Sequence, residues 1–111
     1  MPPMAEATQT ARLETPRQRA LEQVRRLVAQ VLAEHQSRVF LVGSCARGDT
    51  RQPSDIDVAV DLVLGAPQNL IPDIRVALEE SDIPFFVDVF DLRRLPEDYR
   101  CSLLEDALEW T

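Results

Sequence analysis

Residues 55–61 read Asp-Ile-Asp-Val-Ala-Val-Asp, and the alternation in this stretch decides the fold. Successive side chains of a strand point to opposite faces, so Asp55 and Asp57 are predicted to share one face while Ile56 and Val58 take the other. With carboxylates on one side and aliphatic groups on the other, this is a strand with one apolar face.

Upstream, Arg38-Val39-Phe40-Leu41-Val42 is a short apolar run closed by Gly43 and reads as a buried strand. Residues 43–53 are polar and contain glycine, which predicts a turn or a short helical excursion. Further upstream, Thr15-Pro16-Arg17-Gln18 has the form of a helix start: threonine caps, proline suits the first helical position, and glutamine reaches back. Leu21, Val24, Leu27, Val28, Val31 and Leu32 follow at helical spacing, with Arg17, Glu22 and Arg25 off that stripe and facing water.

Downstream, residues 62–68 hold Gly65 and Pro67 and predict a loop. Leu70, Ile74, Ala77 and Leu78 predict a second helix ending near Ser81. Pro84 then breaks the chain before Phe85-Phe86-Val87-Asp88-Val89-Phe90, a third strand. Pro96 opens a last helix, with Leu103, Leu104 and Leu108 on its inner face and Tyr99 packed against the sheet. The order helix, strand, strand, helix, strand, helix predicts an α+β fold with a small mixed sheet and helices packed on it. Residues 1–14 lack periodicity and are predicted to form a flexible tail; residues 15–111 form one domain.

Composition narrows the function classes. The chain has 111 residues, 45% of them hydrophobic and 28% charged, which excludes a disordered chain. No apolar run approaches the roughly 20 residues needed to span a bilayer, and residues 1–15 lack the apolar core of a signal peptide. A cytoplasmic location is expected. With 12 basic against 19 acidic side chains, the net charge of -7 disfavours broad nucleic-acid binding, which needs clustered cations. Cys45 and Cys101 show no metal-ligand spacing. His35, near the end of the first helix, has no second ligand beside it and is expected to cap or to face solvent.

The acidic residues carry the chemistry. Asp55 and Asp57 on one face repel each other, and a divalent cation relieves the conflict; magnesium takes one or two carboxylates and leaves its other positions to water and phosphate. Asp88, between Val87 and Val89, completes a three-carboxylate site if its strand lies beside the first. Two plainer readings stand next to this one: Asp-x-Asp on a solvated strand face, and Asp88 protecting an edge strand from aggregation. Gly43 and Ser44 follow a buried strand directly, where glycine allows close backbone approach and serine offers a hydroxyl, and Arg47 adds a donor suited to phosphate oxygens. Arg51 and Ser54 are expected to serve the loop itself, and Asp61 and Asp91, near strand ends, to be solvated.

Gly43-Ser44-Cys45-Ala46-Arg47-Gly48 followed by Ser54-Asp55-Ile56-Asp57, with Val87-Asp88-Val89-Phe90-Asp91 as the later segment, resembles the signature of DNA polymerase β-like nucleotidyltransferases, and in particular their minimal (MNT) branch. The resemblance runs from about Val39 to Leu95 and implies a palm-like nucleotidyltransferase fold. It implies Asp55, Asp57 and Asp88 as catalytic metal ligands for two Mg2+ ions, Gly43, Ser44 and Arg47 as phosphate-binding residues, and ATP as nucleotide donor. Members of this branch pair with HEPN-domain proteins, so the resemblance further implies an antitoxin in a hetero-oligomer, attaching AMP to a tyrosine hydroxyl of a HEPN RNase toxin. A small-molecule nucleotidyltransferase subunit is a related reading. A non-catalytic module that inhibits its partner by contact, with Leu103, Leu104, Leu108 and Trp110 as docking surface, comes from a different class.

Overall fold

The computed structural model describes residues 15–43 and 55–110, with Asp55 described by its backbone only. The tail 1–14, the turn beyond Gly43 with Ser44, Cys45, Arg47, Arg51 and Ser54, and the side chain of Asp55 therefore lie outside the described residues.

Helix α1 spans Pro16–Val31, and its start is the one the sequence predicts. Thr15 Oγ1 accepts from the Gln18 backbone N–H at 3.1 Å, and Gln18 Oε1 accepts from the Thr15 N–H at 2.8 Å. Two of the donors that a helix start leaves unpaired are thereby satisfied. Ala20, Val24 and Val28 form its buried seam, continued by Leu32 just past its end. Two residues expected to face water have partners. Arg17 lies over the Phe85 ring at 5.4 Å, and Arg25 Nη2 donates to the Trp110 carbonyl at 3.0 Å.

The strands are β1 (Ser37–Val42), β2 (Asp55–Leu62), β3 (Phe86–Asp91) and β4 (Leu108–Glu109), in the sheet order β3-β2-β1-β4. Strands β1 and β2 are antiparallel, β2 and β3 parallel, and β1 and β4 antiparallel. Parallel neighbours need a crossover, which helix α2 (Leu70–Glu80) supplies between β2 and β3. A one-turn 3-10 helix (Leu92–Arg94) and helix α3 (Glu97–Leu104) follow β3.

Strand alternation sorts the side chains into two cores. Val39, Leu41, Ile56, Val58, Val60 and Val89 face α1 and α2 and pack with Val24, Val28, Ile74 and Leu78. On the opposite face Phe40, Val42 and Ala59 make a smaller core with Leu92, covered by Leu95, Leu103 and Leu104. No helix among the described residues is long and apolar enough to cross a membrane.

The C-terminal segment departs from expectation. Helix α3 stops at Leu104, and Leu108 lies in β4 opposite Leu41 with 52% of its surface exposed, so it does not extend the inner face of the helix. The free edge of β1 explains this: the Trp110 N–H donates to the Val39 carbonyl at 2.7 Å, and Arg38 grips both carboxylate oxygens of Glu109 at 2.8 and 3.0 Å. That pairing holds the Arg38 guanidinium pKa above its ordinary value. Tyr99, expected against the sheet, is 50% exposed.

Candidate active site

The carboxylate site is built where β1 ends and β2 and β3 run side by side. Asp57 is in direct register with Asp88, and on its other side with Val42, the last residue of β1. Residues paired across a ladder share a face, so the Asp57 and Asp88 side chains project from the same side of the sheet, from strands about 4.8 Å apart. This is the face opposite α1 and α2. Asp88 is exposed and Asp57 partly buried. Among the described residues, the Asp88 carboxylate makes no hydrogen bond or ion pair. Asp55 begins β2, in register with Phe86.

Gly43 closes the site on the β1 side. Its φ of +72° lies in the left-handed region, which a side chain disfavours, and a Cβ there would sit 2.6 Å from Asp57 Oδ2. The chain thus turns directly against a carboxylate oxygen, which a side chain at position 43 would push aside.

Two hard-oxygen donors in register, beside backbone held clear of any side chain, suit a magnesium ion. Asp57 and Asp88 are the described residues that would hold it. β3 is also an edge of the described sheet, so the edge-strand reading of Asp88 is right about position; the same residue is nonetheless aligned with Asp57. Ser44 and Arg47, predicted to bind phosphate, lie outside the described residues.

Asp91 corrects an expectation. It is three residues beyond Asp88 and hence on the other face. It is only 8% exposed and not solvated: its carboxylate accepts from the Arg93 backbone N–H at 3.1 Å and pairs with Arg93 and Arg94. Its work is to cap the 3-10 helix that ends β3. Asp61 stands in register with Arg38, away from the carboxylate pair.

Two residues near the site escaped sequence reasoning. Phe86 projects from the carboxylate face with 79% of its surface exposed, and Tyr99 lines a cavity of about 200 Å³ with Gly43, Ser102, Leu103 and Asp106. An aromatic pair at 85 and 86 reads as core. The available signal was parity: Phe86 is two residues before Asp88 and must share its face.

Residues 19–109 match the model of the nucleotidyltransferase domain family. The chain belongs to that family. The nucleotidyltransferase domain also resembles solved structures. One, provisionally described as a minimal nucleotidyltransferase, is 30% identical, with 81% of this chain and 92% of the other covered and a TM-score of 0.63. A mutant of the toxin–antitoxin pair MntA-HpeT matches at 23% identity over 81% of this chain and 70% of the other, with a TM-score of 0.62. A toxin–antitoxin structure with AMP-PNP matches at 21% identity over 77% and 70%, with a TM-score of 0.58. The last two establish likeness of fold. No curated protein matches the sequence.

Proposed function

We propose that this nucleotidyltransferase domain is a magnesium-dependent antitoxin that transfers AMP from ATP to a tyrosine hydroxyl of a partner HEPN-domain RNase toxin, in a cytoplasmic hetero-oligomer. The observation that carries the catalytic part is the register of Asp57 with Asp88 beside the Gly43 turn. The toxin–antitoxin part draws support from the likeness of fold to two toxin–antitoxin structures, which argues for a protein partner.

In this reading Asp55, Asp57 and Asp88 hold the metal ions, and Gly43, Ser44 and Arg47 hold the β and γ phosphates. Bound magnesium would neutralise the triphosphate and stabilise the entering and leaving oxygens. Asp88 takes the proton of the acceptor hydroxyl. The freed oxygen forms a bond to the α phosphorus, the bond from that phosphorus to the bridging oxygen breaks, and pyrophosphate leaves with the electron pair. The protein's contribution is positioning and charge placement.

The test is mass spectrometry of the co-expressed HEPN partner after incubation with this protein, ATP and magnesium. A gain of one AMP on a tyrosine is expected, and it should vanish with Asp57→Ala. An unmodified partner that is still neutralised by the Asp57→Ala protein would replace AMP transfer with inhibition by contact.

A further inference from the structure

The carboxylate pair opens on its β3 side onto a groove of about 680 Å³ that runs along the outer edge of that strand, with Asp88 in its wall beside Leu78, Ile83, Phe85, Phe86 and Val87. We propose that this groove seats the acceptor, and that the acceptor is an extended segment of a partner protein whose hydroxyl-bearing residue lies beside Asp88. The proposal rests on the nucleotidyl-transfer reading above and adds where the second substrate binds and what chemistry it has.

The groove follows residues 85–90, about 16–20 Å of extended chain at the usual strand rise, a length that suits a polypeptide rather than one sugar or one amino acid. Among the described residues no strand pairs with the outer side of β3. Arg75 Nη2 donates to the Val89 carbonyl at 2.8 Å, so the peptide groups of Val89 face outward, and by alternation so do those of Val87. Arg75 therefore covers the far half of the edge and leaves the ladder position next to Asp88 open. A segment pairing at Val87 places its neighbouring residue opposite Asp88, with that side chain on the carboxylate face.

Phe86 strengthens the case. Phe85 is held under the Arg17 guanidinium, whereas Phe86 stands bare in register with Asp55. An exposed aromatic at the rim of a reactive site is the kind of anchor that buried contacts select. Charge excludes other occupants. Among the described residues that line it, the groove carries one cation, Arg75, against Glu79 and Asp88, on a chain of net charge -7, so a nucleic acid is repelled. A small polycation would leave the apolar wall uncovered. Backbone pairing along a sheet edge with a side-chain anchor is an established mode of peptide recognition.

The test compares three acceptors with labelled ATP and magnesium: N-acetyltyrosinamide, a six-residue peptide of alternating valine and threonine with a central tyrosine, and that peptide N-methylated along its backbone. The wild-type protein should favour the plain peptide over the amide by about ten-fold in kcat/KM, as one or two added hydrogen bonds would give. N-methylation should remove the advantage. Phe86→Ala should raise KM for the peptide by about ten-fold with kcat and the calorimetric affinity for Mg-ATP unmoved. No preference for the peptide, no effect of N-methylation, or a Phe86→Ala defect confined to kcat would overturn the proposal, as would Mg-ATP binding without labelling of any acceptor. Absence of Mg-ATP binding to the wild-type protein would instead bring down the transfer reading beneath it.

Discussion

The two faces of the sheet are drawn from alternate residues of the same three strands, yet they differ in every physical respect. Val39, Leu41, Ile56, Val58, Val60 and Val89 are aliphatic and sealed under α1 and α2. The opposite face carries Phe40, Val42 and Ala59, packed with Leu92 under Leu95, Leu103 and Leu104, and beside them Asp57 and Asp88, with Asp57 in register with Val42. The sealed face supplies stability. The open face holds two carboxylates in register beside the smaller core. Strand parity, rather than distance along the chain, thus separates the larger core from the candidate site.

That separation can be broken in a graded way. The largest effect is expected from Asp57→Asn, which should lower nucleotidyl transfer by on the order of 10²–10³-fold, the scale seen when one transition-state-stabilising group is lost. Magnesium should raise the melting temperature of the wild-type protein and not that of the variant. A variant still stabilised by magnesium would show that Asp57 does not hold the ion and would undo the contrast. Ile74→Ala probes the sealed face: removing a fully buried side chain should cost about 2–5 kcal/mol in urea denaturation.

Gly43→Ala lies between the two. The positive φ should cost about 1–2 kcal/mol, and the clash of the new Cβ with Asp57 Oδ2 should reduce transfer as well as stability. Loss of stability with full activity would mean that the turn does not bear on the carboxylate. The smallest effect is expected from Thr15→Ala, which removes the α1 cap and should cost about 1 kcal/mol with activity unchanged once the protein is folded.

Much of this was legible in the sequence because it is local. The cap at Thr15 and Gln18 is a four-residue pattern, and the shared face of Ile56 and Val58 follows from alternation alone. The sites that escaped have non-local causes. Leu108 continues a leucine spacing that looks helical, and only the free edge of β1 draws it into a strand two residues long, too short to show a period. Asp91 looks like one more acidic residue at a strand end. Its burial depends on Arg93 and Arg94 folding back in a turn whose geometry is not written in spacing.

The amino-acid order by itself determined that carboxylates and aliphatic side chains of β2 part to opposite faces, because the pleat repeats every two residues whatever the strand's neighbours. It did not determine that Asp88 meets Asp57. That depended on α2 carrying the chain back to lay β3 parallel to β2 in one particular register, a choice made by packing between distant segments. A slip of one residue there would have turned Asp88 into the sealed core.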